Sequence, residues 1–357
     1  MNPSLFLKPS TIRTPEMFSQ EHNDSQSVCG DWRRAAVHPR VKPMERASAG
    51  LPKRRVLVHG DVHAGTVFAQ LMDGDGWRFR YYPDAGLRNL SQIARELRAC
   101  DLAYQIGGRV TAGKFLLAAK LMRKKKIVMH WTGSDVLDEQ MKGLPAAADP
   151  WILENVEHWA VSDWLVREVA TLGITCRLVP LPSPSVPDHP SPLPSRFSVL
   201  VYMPAIARGT LYGLDRILEV AKELPHIPFE LVGLLEGTIE NPPANLRVHG
   251  RILDLREFFQ RATVIWRPVR HDGLSWMVLE ALGYGRHVLW SYAFPGCTQV
   301  RSAADARDEI ARLYALEQQK RLKMNSDGVA AIVEGGYLPR LLRSKIRMHL
   351  DEILSAQ

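Results

Sequence analysis

The stretch Arg270 to Gly285, RHDGLSWMVLEALGYG, places side chains that can do chemistry at the mouth of an apolar helix. TVIWRPV reads as a strand leading into it, RHDG as a turn, Ser275 as a helix cap, and Gly283 with Gly285 as the stop. A helix start with unpaired backbone N–H groups beside Gly273 is an anion site, and phosphate is the anion such sites usually hold. One acid, Glu280, sits inside the apolar run, four residues beyond Trp276 and three before Gly283, so these share a helix face. Asp272 and Glu280 are thereby placed to address one ligand, with Glu280 accepting hydrogen bonds from sugar or ribose hydroxyls while the amides of Gly273, Leu274 and Ser275 hold phosphate. The plain alternative is a capped core helix carrying one acid.

Positioning such a site takes a scaffold, and the chain supplies a regular one. Its 357 residues exceed what one hydrophobic core usually serves, which predicts two domains. A content of 46% hydrophobic and 24% charged residues is that of a globular protein, and no apolar run approaches the roughly 20 residues of a membrane helix. The N-terminus lacks a signal-peptide core. Cys29, Cys100, Cys176 and Cys297 lie far apart without a CxxC pair, which argues against a disulfide framework and a zinc site and fits a cytoplasmic protein. Of the formal +8, residues 1–55 carry +5, from ten Lys and Arg against five Asp and Glu, so the body is only mildly basic and a nucleic-acid partner is not expected. The basic leader and the run Arg123 to Lys126 are compatible with peripheral contact at the inner face of a membrane, although helix C-terminal charge explains the second run better.

Residues 1–50 are polar and without periodicity and read as a disordered basic leader. Then RRVLVHG, WRFRYY, DLAYQIGG, KIVMHW and CRLVPL read as strands alternating with the helices HAGTVFAQLM, LRNLSQIARELRAC, TAGKFLLAAKLMRKKK and WLVREVATLG. Seven prolines between Pro180 and Pro194 make a semi-rigid connection. A second alternation follows: FSVLVYMP, FELVGLL, LRVHG, TVIWRPV and RHVLWSY as strands, with LDRILEVAKELP, LREFFQRA and WMVLEALGYG as helices. The fold expected is α/β, two Rossmann-like domains facing a central cleft, over 51–185 and 186–330, with a C-terminal helical segment over 331–357.

PVRHDGLSWMVLEALGYGRHVLW followed by FPG resembles the C-terminal signature of retaining GT-B glycosyltransferases of the family-4 type, in which an acid is followed by Gly, seven residues separate that acid from a Glu, and an E-A-x-x-x-G run closes the helix. LVGLLEG with NLRVHGRILDLREFFQRATVIWRP, and HWAVSDWLVREVATLGI with VPLPSP, extend the likeness to both halves. The resemblance implies transfer of a sugar, with retention and without a metal or other cofactor, from a nucleotide-diphosphate sugar to a glycan or lipid-linked acceptor. It implies that Glu280 holds the donor ribose, that Asp272 contacts the transferred sugar, and that the amides after Gly273 contact the diphosphate. It also implies an Arg and Lys clamp on the pyrophosphate; here Tyr212 stands where Lys would precede Gly213 and Arg208 is displaced by one position, so Arg208 and Arg267 are the expected substitutes. In the N-terminal half it implies that His130, ahead of His59 and His63, contacts the transferred sugar, and that Gly65 belongs to a glycine-rich loop over the ligand.

Two further motifs compete. Asp73-Gly74-Asp75 spells a metal-binding D-x-D but has the composition of an ordinary turn. Gly108 to Lys114 nearly spells a phosphate loop, with Phe115 in place of the magnesium-holding hydroxyl, and makes a nucleotide triphosphatase the main alternative. A GT-B protein that binds nucleotide or glycan without turnover is the other.

Overall fold

The computed structural model describes residues 54–83, 90–124, 126–142, 148–252 and 254–356. The leader expected over 1–50 lies outside the described residues.

Two six-stranded sheets organise the chain. The first contains β1 (Arg54–Gly60), β2 (Trp77–Tyr81), β3 (Leu102–Ile106), β4 (Ile127–Trp131), β5 (Glu157–Ala160) and β6 (Arg177–Leu178), in the order β2-β1-β3-β4-β5-β6. The second contains β7 (Val199–Tyr202), β8 (Phe229–Val232), β9 (Leu246–Val248), β10 (Val264–Arg267), β11 (His287–Trp290) and β12 (Cys297–Gln299), in the order β12-β11-β10-β7-β8-β9. Every pairing between these strands is parallel. Parallel strands need helical crossovers, which cover both faces of each sheet, and this is why β3 and β4 are buried at all five positions. One apolar core fills the N-terminal lobe and continues through helix Trp276–Gly283 into the last helix, while a second occupies the other face of the C-terminal sheet.

Strand order reverses between β1 and β3 in the first sheet and between β7 and β10 in the second. Loops leaving adjacent strands there diverge to opposite faces and open a crevice at the carboxyl ends, the usual ligand position in such sheets. The first switch point presents Gly60, Asp61 and His63 beside Gly107 and Gly108; the second presents Tyr202 and Met203 beside Arg267 and Pro268.

The proline-rich connection is strapped to the C-terminal lobe. Arg286, fully buried, donates to the carbonyls of Pro192 (2.8 Å) and Phe259 (2.8 Å). Helix Ser326–Glu334 packs on Trp276–Gly283 and runs across the domain boundary expected at 330. The last helix, Pro339–Ser355, returns to the N-terminal lobe, where Arg54 pairs with Asp351 and Arg177 with Glu352 (2.7 Å). Arg347 of that helix binds Asp75 (2.6 Å) and the carbonyls of Met72 and Gly74, so the Asp-Gly-Asp turn is a docking point for the chain end. This pairing holds the Asp75 carboxyl below its usual range.

Candidate functional site

Helix Trp276–Gly283 is built as its sequence suggests. Positions Met277 to Gly283 are buried, and Gly285, at φ 74°, reverses the chain so that its N–H reaches Leu282 O (2.9 Å) and that of Arg286 reaches Ala281 O (2.9 Å). The other end differs from expectation: the Ser275 side chain makes no cap hydrogen bond. The first-turn N–H groups therefore lack the usual side-chain acceptor, and the partial positive charge there is uncompensated by Ser275.

Glu280 is 6% exposed and lies where the chain crosses between lobes. Its Oε1 accepts from Ser183 Oγ (2.5 Å) and Ser185 N (3.2 Å) of the proline-rich connection, and among the described residues no donor reaches Oε2. Burial outweighs these two bonds and pushes the carboxyl up to about 7. Glu280 is thus turned onto the connection between the lobes, with half of its accepting capacity unused.

Asp272 is committed within its own lobe. Both of its carboxylate oxygens are held by Arg267, through Nε and through Nη2 (2.9 Å). The Arg267 guanidinium also lies over the Tyr212 ring, 5.5 Å from its centroid. The residue standing in the lysine position of the clamp is therefore an aromatic support for Arg267, and Arg267 is not a free cation for pyrophosphate. Arg208 is exposed and reaches the opposite lobe at Ser134 Oγ (3.4 Å). Burial raises the Tyr202 hydroxyl, with Tyr212 and, from the other lobe, Asp61 adding to it.

The lobes meet through glycine. A Cβ on Gly273 would stand 1.9 Å from Thr132 O, and one on Gly133, at φ 149°, 2.8 Å from Gly273 N. Leu274 and Ser275 are buried beside this contact. Helix Asp163–Ala170 docks on the same loop: Trp164 Nε1 donates to Asp272 O (2.8 Å), its ring stacks on Tyr292 at 4.8 Å, and Glu168 pairs with His271 (2.7 Å). Tyr292 Oη accepts from Asp272 N (3.0 Å), so both lobes fix the Asp272–Gly273 backbone.

Two N-terminal expectations are corrected. His130 does not face the other lobe: it is fully buried, its Nδ1 bonded to Tyr104 Oη (2.6 Å) and its Nε2 to Val179 O (2.7 Å). Burial drives its imidazole down to about 3, so it stays neutral and has no ring nitrogen left for a ligand. His59 stacks on Phe115 at 4.4 Å and is also buried, whereas His63 is exposed and sets its ring edge-on to Trp276 across the seam, 6.3 Å between centroids. Gly65 lies inside helix Val62–Met72, not in a loop; a Cβ there would stand 2.5 Å from the Tyr81 ring. Asp61, which caps that helix at Ala64 N (2.7 Å), was the sequence signal for this start.

The phosphate-loop alternative fails on hydrogen bonding. Gly108 N donates to Asp135 Oδ2 (2.5 Å) and Val110 N to Glu139 Oε2 (3.1 Å), so loop amides that would cradle phosphate already serve carboxylates. Lys114→Ala is expected to leave nucleotide binding within about twofold of wild type, as for an exposed side chain outside a site; calorimetry checks this, and loss of binding would restore the alternative. Asp135 was missed by sequence reasoning. It also accepts from Thr132 N (2.9 Å) and Gly133 N (2.6 Å), which makes it the post of both seam-facing loops of the N-terminal lobe. Asp135→Ala strands several buried N–H groups and should destabilise by about 3 kcal/mol or more, read as a drop in Tm. Among the described residues no group of three or more His, Cys, Asp or Glu side chains is placed to hold a metal ion.

No protein-family model matches the sequence, and the comparison with curated proteins finds no match. Solved structures do match. A sucrose-phosphate synthase from Thermosynechococcus elongatus superposes with a TM-score of 0.64 at 12% identity, over 85% of this chain and 100% of that one. A glycosyltransferase from Rickettsia africae gives 0.58 at 11% identity, over 85% and 100%. HepE from Anabaena, in complex with UDP and glucose, gives 0.58 at 12% identity, over 84% and 99%. With both sheets, the crossing connection and the returning helix in place, the chain has the GT-B fold, two Rossmann-like domains with their switch points turned toward each other.

Proposed function

We propose that the protein is a glycosyltransferase that moves a sugar from a nucleotide-diphosphate sugar to a glycan or lipid-linked acceptor, with retention and without a metal. The observation that carries this is Glu280: an acid inside an apolar helix, held by one oxygen to the connection between the lobes, with no donor to its second oxygen among the described residues. A vicinal diol of ribose supplies the donors such an oxygen lacks. The uncapped start of the same helix, at Gly273 to Trp276, supports diphosphate there, because its amides and dipole oppose the negative charge that builds on the leaving group. Arg208, reaching toward Ser134, is the cation placed to add to this, while Arg267 keeps Asp272 oriented beside the transferred sugar. Because Gly133 covers Gly273, entry of a donor requires the lobes to part, and closing again would exclude water from the reacting bond. His63 takes the N-terminal position that His130 vacates.

Binding without turnover is the second reading, and Tyr212 in the place of a clamp lysine supports it. Incubation with a panel of nucleotide sugars and glycan or lipid-linked acceptors, with and without chelator, separates the two. Transfer should give a product of unchanged anomeric configuration by NMR at an undiminished rate in chelator; binding with neither transfer nor hydrolysis would establish the second reading instead.

A further inference from the structure

Trp276 is the first residue of the helix whose amides face the seam, and it is only partly buried, unlike the seven residues after it. Its ring packs against the apolar core and also meets the ring of His63, which is exposed at the switch point of the other lobe. A bulky aromatic left partly in solvent at the start of an otherwise buried helix gives up burial that the next seven side chains achieve, and no hydrogen bond or stack within its own lobe offsets this among the described residues. Trp276 opens the helix whose Ser275 side chain makes no cap hydrogen bond, three residues after Gly273, the point where a Cβ on Gly133 of the other lobe would stand 2.8 Å from Gly273 N. A ring next to a diphosphate on those amides comes to lie against the indole face. Pyranose rings present C–H groups on one face, positively polarised edges that suit the negative face of an indole.

On the reading of the protein as a user of nucleotide-diphosphate sugars, we infer that Trp276 is the platform for the sugar ring of the donor, with His63 closing over it from the opposite lobe, and that this pair determines which sugar is accepted. Trp276 then contributes to affinity for the whole donor and not for the nucleoside diphosphate alone. His63 supplies a ring N–H or lone pair to a sugar hydroxyl and responds to closure, since it belongs to the other lobe.

Calorimetric titration of UDP-glucose, GDP-mannose, UDP and GDP into wild type, Trp276→Leu and His63→Ala tests this. Trp276→Leu should weaken the recognised nucleotide sugar by about tenfold and its parent diphosphate by less than about twofold, and His63→Ala should act in the same direction to a smaller extent. His63 is exposed, so His63→Ala should melt near wild type, and Trp276→Leu, which keeps an apolar side chain against the core, should melt within about a few degrees of it. Equal weakening of sugar nucleotide and diphosphate in both variants would overturn the platform while leaving the enzyme reading intact. Failure of every nucleotide sugar and diphosphate to bind wild type would overturn the enzyme reading and this inference together.

Discussion

Gly273→Ala is expected to part the lobes and reduce donor binding or turnover by about a hundredfold, the scale of loss that accompanies a displacement of about 1 Å at a site. The added methyl carbon would stand 1.9 Å from Thr132 O and 2.7 Å from Thr132 C, and both are backbone atoms that no rotamer change can move aside. Either the loop after β4 or the loop after β10 must shift. Gly133 N is tied to Asp135 and the Asp272 backbone to Trp164 and Tyr292, so neither loop shifts alone. Overpacking of this kind costs about 1–3 kcal/mol, which predicts a Tm lower by several degrees and a larger radius of gyration by small-angle scattering. Wild-type values for binding, melting and scattering together would show that the Gly133–Gly273 contact does not set the spacing of the lobes.

Glu280→Gln should change how stability depends on pH. In the folded chain the carboxyl is pushed up to about 7 from its ordinary 4.5, because burial disfavours its charge more than Ser183 and Ser185 favour it. The folded state therefore binds this proton more tightly than the unfolded chain does. Its contribution is complete below about 4.5 and is lost as pH rises through about 7, on the order of 3 kcal/mol across that window. An uncharged glutamine keeps an acceptor for Ser183 and Ser185 and lacks the titration. Denaturant melts at pH 5 and pH 8 should show wild type losing stability over the interval and Glu280→Gln losing less, so that the variant is the more stable protein at pH 8. A parallel pair of profiles would mean that Glu280 carries its charge without penalty.

Much of the scaffold was legible because the periodicities were strong. β1 spans the predicted RRVLVHG, the two rounds of strand and helix are present, and Gly285 ends the helix as read, while Ser275 stands at the cap position without making the cap bond. Site geometry was less legible, for identifiable reasons. A strand covered on both faces carries no alternation, so IVMHW could not reveal that His130 points into its own lobe toward Tyr104, 26 residues earlier. His63 becomes a seam residue only through Trp276 of the other lobe, and Asp75 a docking residue only through Arg347, 272 residues away. Helices Ser134–Met141, Ala303–Gln318 and Ser326–Glu334 went unread, although Ser302 with Asp305 forms a capping box that marks the start of the second.

Calorimetry of nucleotide sugars against wild type and Glu280→Ala is the most direct test of the central claim, that Glu280 grips a diphospho-sugar donor where the lobes meet. The prediction is that one nucleotide sugar binds wild type and that Glu280→Ala weakens it by about tenfold or more while folding as wild type does. Undiminished binding to the folded variant would contradict it.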